Sequence, residues 1–335
     1  MKISSHNEWD KLKSVVVGTA TNANWPEQDP VFATNWTTTL FKAVPHPKGP
    51  VPKHVIDDAN EDLDNLAKVL NSAGVTVYRP DPTNLRKLVS TTTWTSDQMY
   101  AYCPRDTHLV VGDTVIEAPM SYRARQFESE LLHEIRREAI RDGANWIAAP
   151  RPMLGDEHTK AYDDPIVIPE LDPVFDAANC IRLNDDILYL RSLTGNALGA
   201  KWLARALPNK RIHELTDVYA YAHIDSTIIP VREGLVLLNA SRVGDHNLPK
   251  VFESWDKIWF DAPVKQQFFQ YPYASPWIGM NMLMLDPNTA IVEETQIGLI
   301  QQLEDRRIEV WAMPMRHART LGGGFHCVTL DLERA

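Results

Sequence analysis

Short apolar runs recur along the chain in pairs, each pair split by a polar turn. Leu109-Val-Val-Gly-Asp-Thr-Val-Ile116 is one pair, with Gly-Asp as its turn. Cys180-Ile-Arg-Leu-Asn-Asp-Asp-Ile-Leu-Tyr-Leu190 is a second, and Met282-Leu-Met-Leu-Asp-Pro-Asn-Thr-Ala-Ile-Val292 a third. Apolar runs flanking Gly, Asn, Asp or Pro are the signature of β-hairpins. A helix and then a strand follow such pairs. Apolar residues at 55, 56, 59, 63, 66, 67 and 70 keep helical spacing over Val55 to Ser72. Gly74 ends that helix, and Val75-Thr-Val-Tyr78 reads as a strand. Glu128 to Arg141 repeats the helix and stops at Gly143. Ala200 to Leu207 leads into Arg211–Leu215, and Thr295 to Leu303 into Ile308–Ala312. Phe252 to Trp255, before Lys257–Phe260, is a shorter copy.

The recurring unit is therefore hairpin, helix, strand, at a spacing of roughly 50–70 residues. About five units fit a chain of 335 residues. An α/β ring of small mixed sheets with helices outside, in the manner of a propeller, is the simplest packing. Two separate α/β domains are the alternative, but no linker is visible, so residues 1–335 read as one domain. The Pro-rich stretches at 44–52 and 150–174 read as long loops, which often carry function.

An apolar fraction of 44% and a charged fraction of 23% belong to a globular protein that needs no membrane. The first ten residues carry neither an apolar signal core nor an Arg-rich presequence, so a cytoplasmic setting is expected. A net charge of −10 argues against nucleic acid as a partner. Three cysteines, at 103, 180 and 327, form no metal-ligand spacing and no disulfide framework. No HExxH, phosphate loop or GxGxxG element is present, and neither a metal nor a cofactor is expected.

The chemistry concentrates in Leu321-Gly-Gly-Gly-Phe-His-Cys-Val-Thr-Leu330. Three glycines beside Cys327 leave its sulfur open to a substrate carbon, as a nucleophilic thiolate requires. The same glycines could serve only as a turn into a final core strand, Val328–Leu332. Four further segments put polar residues just before strands: Tyr102-Cys-Pro-Arg-Asp106, Val174-Phe-Asp-Ala-Ala-Asn179, His223-Ile-Asp-Ser-Thr227 and Tyr273-Ala-Ser-Pro-Trp-Ile-Gly-Met-Asn281. In a ring of repeated units, equivalent strand ends meet on one axis. That would gather Asp106, Asp176, His223, Asp225, Ser275 and Cys327 in one pocket. Asp176 could instead cap a short helix. Asp225, two residues after His223, would share its face on a strand. Two aspartates suit a planar guanidinium, the thiolate can attack its central carbon, and a carboxylate-steadied histidine can move the protons.

With these motifs the chain resembles the amidinotransferase family, above all the arginine:inosamine-phosphate amidinotransferases, and is more distantly similar to glycine amidinotransferase. The resemblance runs from His6-Asn-Glu-Trp-Asp10 and Val16-Val-Gly18 through Cys103–Asp106, Ile116–Met120, Phe175–Asn179, His223–Thr227 and Trp277–Asn281 to Leu321–Cys327. It implies the pentein fold, a fivefold pseudosymmetric ββαβ propeller. It implies transfer of the amidino group of L-arginine through an amidino-cysteine on Cys327 to an acceptor amine, with release of ornithine. Cys327, His223 and Asp176 match the family's catalytic residues. Asp106 and Asp225 match its guanidinium-binding aspartates, Arg242 the arginine that holds the donor carboxylate, and Ser275 a donor-binding serine. Ala274, Ala220 and Ala222 replace larger or polar residues of the glycine-using relatives. Ala220 and Ala222 are expected to line a roomy acceptor side, suited to an aminocyclitol phosphate or a diamino acid such as lysine. A glycine amidinotransferase and a guanidino-group hydrolase are the competing readings. The partners are small molecules; a homodimer is compatible with this reading, which fixes no oligomer.

Overall fold

A computed structural model describes residues 1–29, 46–81, 85–160 and 168–335. Parts of the two Pro-rich loops, 44–45 and 161–167, lie outside the described residues. Five three-stranded sheets account for the hairpin pattern. Each has an antiparallel pair and a third strand that returns parallel to the second. One sheet joins His108–Val111, Thr114–Glu117 and Asn145–Ala148. The next joins Cys180–Leu183, Asp186–Leu190 and Arg211–Leu215. Ile228–Arg232, Leu235–Asn239 and Asp256–Phe260 form another, and Leu283–Asp286, Thr289–Glu293 and Glu309–Met313 another. The fifth is built from the two chain ends: Thr329–Arg334 pairs antiparallel with Leu12–Val17, which runs parallel to Thr76–Tyr78. This is the fivefold ββαβ propeller.

The crossovers are the helices that the 3.6-residue spacing marks. Lys53–Ser72 buries Val55, Ala59, Leu63, Leu66 and Leu70 along one face. It stops where Gly74 takes φ +81°, a left-handed value natural to glycine. Ala197–Ala206 begins three residues before the apolar signal because Asn196 caps it, its side-chain oxygen accepting from Gly199 N at 2.8 Å. Ile297–Glu304 fills the same place in its unit. The expected helix over Glu128 to Arg141 differs. Its first turn, Glu128–Leu132, is 3₁₀, and only His133–Arg141 is α-helical. Glu128 is drawn inward to Arg125, three residues back, at 2.9 Å, which favours the tighter winding. The short copy after Phe252 is a 3₁₀ turn at Lys250–Phe252.

A turn of irregular or helical chain precedes the first strand of every sheet. These are Pro104–Thr107, Ala177–Asn179, the bend at 224–227, Pro276–Met280, and the glycine loop after Ala318–Leu321. Pro104 and Pro276 open two of them, where the missing N–H leaves no hydrogen bond unmade. Beneath these turns the molecule is charged. The Arg182 guanidinium meets Glu8 at 2.6 and 2.8 Å and Asp331 at 2.8 Å. Arg105 reaches Asp331 at 2.5 Å, and Arg334 reaches it at 2.7 Å. All five side chains are buried, and the fork-to-carboxylate geometry supplies the partners such burial demands. Residues from two sheets, the Pro104–Thr107 turn and the amino-terminal segment are thereby locked together under the site.

Candidate active site

The five turns converge on a cavity of about 750 Å³, its open mouth included. Asp106, Asp176, His223, Asp225, Ser275 and Cys327 all line it. Ala222 and Ala274 are also on its wall, with Tyr100, Tyr219, Tyr221 and Tyr273.

Cys327 is buried rather than exposed, only 2% accessible at the cavity floor. Its loop explains the glycines. Gly322 takes φ +81° to end the Ala318–Leu321 turn. A Cβ on Gly323 would lie 2.5 Å from Cys103 Sγ and 3.2 Å from Cys327 Cβ, so no side chain fits between the two cysteines. Asn281 holds the loop from the next unit, its side-chain oxygen accepting from His326 N at 2.9 Å and Cys327 N at 3.1 Å. Arg105 Nε donates to His326 O at 2.7 Å and to Thr329 O at 2.8 Å, clamping the chain on both sides of the cysteine.

Cys327 Sγ donates to Asp225 Oδ2 at 3.2 Å. The hydrogen bond with Cys103, burial, and the nearby Asp225 carboxylate together push the Cys327 thiol well above its ordinary range. His223 faces two carboxylates: Nε2 is 3.0 Å from Asp176 Oδ2 and Nδ1 is 3.6 Å from Asp106 Oδ1. Burial pulls its pKa down, but Asp106, Asp176 and Asp225 outweigh that and raise it to about 9. His223 itself adopts φ +65°. A histidine in the left-handed region is strained, and such strain gathers at functional sites. The segment is thus a bend, not the strand expected from the His223–Asp225 spacing. The two side chains share the cavity because the chain curls around it.

Asp176 occupies the N-cap position of Ala177–Asn179 yet makes no capping bond. Its Oδ1 instead accepts from Ser121 N at 3.2 Å and Ser121 Oγ at 3.1 Å, which leaves Oδ2 to His223. Asp106 Oδ2 is taken by Arg125 at 2.8 Å, while Oδ1 is buried without a hydrogen bond. Burial raises the Asp106 pKa, against the pull of His223 and Arg125. Arg242 lies behind the wall. Its Nη1 donates to Thr227 Oγ1 at 2.7 Å and its Nη2 to Ser275 Oγ at 3.4 Å, and its guanidinium stacks 3.6 Å from the Tyr219 ring centre. It forms no ion pair among the described residues.

Two expected site residues are not on the cavity wall: Arg242, which lies behind it, and Ala220. Ala220 edges a separate shallow depression with Ile168, Arg191, Ser192 and Thr216, and its carbonyl accepts from Leu193 N at 3.0 Å. Tyr219 and Tyr221 face inward, so the residue between them faces away. Pattern reading also passed over Arg125, Glu128, Asn281 and the tyrosines. Asn281 ends a motif already singled out, and Arg125 follows the first hairpin, but no periodicity marks either.

No protein-family model matches the chain. It is 44% identical to inosamine-phosphate amidinotransferase 1 of Streptomyces glaucescens, over 99% of this chain and 97% of that one. It is 34% identical to the L-arginine:L-lysine amidinotransferase of Pseudomonas savastanoi pv. phaseolicola, over 99% and 94%. Among solved structures, the inosamine-phosphate amidinotransferase of Streptomyces griseus superposes with TM-score 0.94 and 42% identity, covering 99% and 97%. A DDAH from Pseudomonas aeruginosa, complexed with citrulline, shares the pentein fold alone, with TM-score 0.61 and 12% identity over 96% and 99%.

Proposed function

The chain belongs to the amidinotransferase family, and we propose that it carries the amidino group of L-arginine on Cys327 to an acceptor amine, releasing ornithine. The observation that carries this reading is the meeting of one thiol, one imidazolium and three carboxylates in a single cavity.

Arginine enters with its guanidinium between Asp106 and Asp225. The open Oδ1 of Asp106 and the Asp225 carboxylate accept its N–H groups. The Cys103 hydrogen bond, burial and the Asp225 charge keep Cys327 protonated. The cation offsets the last, so the thiol gives its proton to solvent through the open mouth as its electrophile arrives and regains one when the product leaves. Arg242, behind Ser275 and held by hydroxyls and a tyrosine face, supplies the positive charge that draws the α-carboxylate to the Ser275 side of the cavity. The thiolate attacks the guanidinium carbon. The bond from that carbon to the δ-nitrogen breaks as His223 protonates the nitrogen, and ornithine departs. An amidino-cysteine remains, still cationic between the aspartates. The neutral His223 then takes a proton from the acceptor amine, whose nitrogen attacks the amidino carbon and expels the Cys327 thiolate. Asp176 orients His223 throughout.

Every one of the five units contributes a residue to the cavity, which supports one catalytic domain over residues 1–335. Three free cysteines, the nucleophile among them, support a reducing compartment such as the cytoplasm. Ala222 and Ala274 leave space on the wall, which supports an acceptor larger than glycine, an aminocyclitol phosphate or a diamino acid such as lysine. Ornithine release measured with and without added amines tests the reaction class. Release that continues steadily without an amine, with citrulline or urea as co-product, would make the chain a hydrolase.

A further inference from the structure

Behind Cys327 lies a second thiol that the reaction above does not use. Cys103 immediately precedes the Pro104–Thr107 turn, and its side chain is buried against the glycine loop. The point where a Cβ on Gly323 would sit is 2.5 Å from Cys103 Sγ and 3.2 Å from Cys327 Cβ, so only a bare glycine separates the two side chains. The two thiols hydrogen-bond, and Cys103 is the foremost of the influences that push the Cys327 thiol up. As mere packing, then, a thiol at 103 works against the nucleophile by keeping it protonated. Cys327 lines the cavity, whereas Cys103 does not. A small solute entering by the mouth meets Cys327 first and reaches Cys103 only through it. Because the thiols already touch, closing a sulfur–sulfur bond of about 2.0 Å asks only for side-chain rotation and a small shift of the glycine loop.

We propose that Cys103 is a resolving thiol: when a peroxide oxidises Cys327 through the cavity mouth, Cys103 closes a Cys103–Cys327 disulfide that turns transfer off reversibly. The step balances with hydrogen peroxide as the oxidant. The Cys327 sulfur attacks one peroxide oxygen, the O–O bond breaks, and the departing hydroxide takes up the thiol proton as water. Cys327 is left as a sulfenic acid. The Cys103 sulfur then attacks the Cys327 sulfur, the S–O bond breaks, and the hydroxyl leaves with the Cys103 proton as a second water. The two sulfurs give up two electrons, and the peroxide takes them. The resting Cys327 thiol is held protonated, so this oxidation is slow beside that of an exposed thiolate and needs excess peroxide. A sulfenic acid with no thiol beside it goes on to sulfinic acid, which thiol reductants do not reverse. Cys103 halts the oxidation at a disulfide, which a dithiol reopens. Cys180, buried in the strand Cys180–Leu183 and away from the cavity, is the internal control. Only the loss of transfer rests on the functional reading above; the disulfide needs the two thiols and the mouth alone.

The test exposes native protein to a graded excess of hydrogen peroxide. Remaining thiols are then alkylated in denaturant without reductant, and intact chain and digest are read by mass spectrometry. Expected is one cross-linked peptide pair within a single chain, containing Cys103 and Cys327 and two hydrogens lighter than the free peptides together, with Cys180 alkylated. Transfer should fall in proportion to the cross-link and return when dithiothreitol removes it. In Cys103→Ala the same exposure should carry Cys327 to sulfinic acid, and dithiothreitol should restore none of the activity lost. Sulfinic acid on Cys327 of the native protein beside an alkylated Cys103 would overturn the proposal. So would both thiols remaining alkylated at every peroxide excess, or recovery of Cys103→Ala to the same extent as the native protein. Should Cys103→Ala not fold, the peptide map of the native protein decides alone. Should the native protein transfer no amidino group, the functional reading fails, and the map still decides for or against the disulfide.

Discussion

Replacing Asp106 with Asn separates binding from folding. In the free protein Asp106 Oδ2 bonds Arg125 at 2.8 Å, and the buried Oδ1 has no hydrogen bond. Asn can keep the Arg125 contact through its carbonyl, but it turns an NH₂ donor toward the place of Oδ1. A guanidinium arriving there loses a charge-assisted acceptor and meets a donor. Hydrogen bonds to charged groups contribute about 1.5–3 kcal/mol, so the dissociation constant for arginine should rise about ten- to a hundredfold. Stability should move the other way. Burial raises the Asp106 pKa, so the folded state resists its ionisation, and near neutral pH an uncharged side chain relieves that resistance. Calorimetric titration of arginine into Cys327→Ser and Cys327→Ser/Asp106→Asn, with thermal unfolding of both, reads the two effects. Unchanged affinity would refute the cation clamp. Weaker affinity together with marked destabilisation would mean that Asp106 is structural and only indirectly affects the donor.

Asp176→Asn should lower turnover far more than arginine affinity, because it leaves His223 misoriented while Asp106 and Asp225 remain; single-turnover rates and calorimetry together check this. His223, raised from 6.5 to about 9, contributes stability fully below pH 6.5 and loses it as pH rises through 9. On the order of 3 kcal/mol of unfolding free energy should therefore disappear across that window in the native protein but not in His223→Asn, as followed by urea unfolding. Gly323→Ala should destabilise by about 1–3 kcal/mol and slow adduct formation, since its Cβ would lie 2.5 Å from Cys103 Sγ. Adding Cys103→Ala should return part of the loss in unfolding experiments. Ala222→Met should depress transfer to a large acceptor while sparing the donor half-reaction, whereas Ala220→Asn, outside the cavity, should leave both unchanged; acceptor competition assays compare them.

Much of this arrangement is legible in the sequence because each unit is local. A hairpin such as Leu109–Ile116 and a helix such as Lys53–Ser72 carry their own periodicities and stop signals. The polar side chains that line the cavity are legible for a related reason, since Asp106, Asp176, His223 and Ser275 stand just before hairpins and Cys327 just before a strand. What fails is whatever depends on distant chain. The pairing of Leu12–Val17 with Thr329–Arg334 closes the ring across the whole sequence, and no local pattern announces it. Glu8 and His326 meet across 318 positions. Ala220 misled for a subtler reason. In a bend such as 218–224 neither strand nor helix spacing applies, so the direction of a small side chain cannot be read from its neighbours.

The central claim is that Cys327 holds the amidino group between two half-reactions. Mixing native protein with L-arginine and no acceptor, quenching in acid and measuring intact mass tests it directly. An added amidino group on the peptide that contains Cys327, with one ornithine released per adduct and loss of the adduct on adding an acceptor amine, is the predicted result. Ornithine formed in a single turnover with Cys327 unmodified at every time point would contradict it.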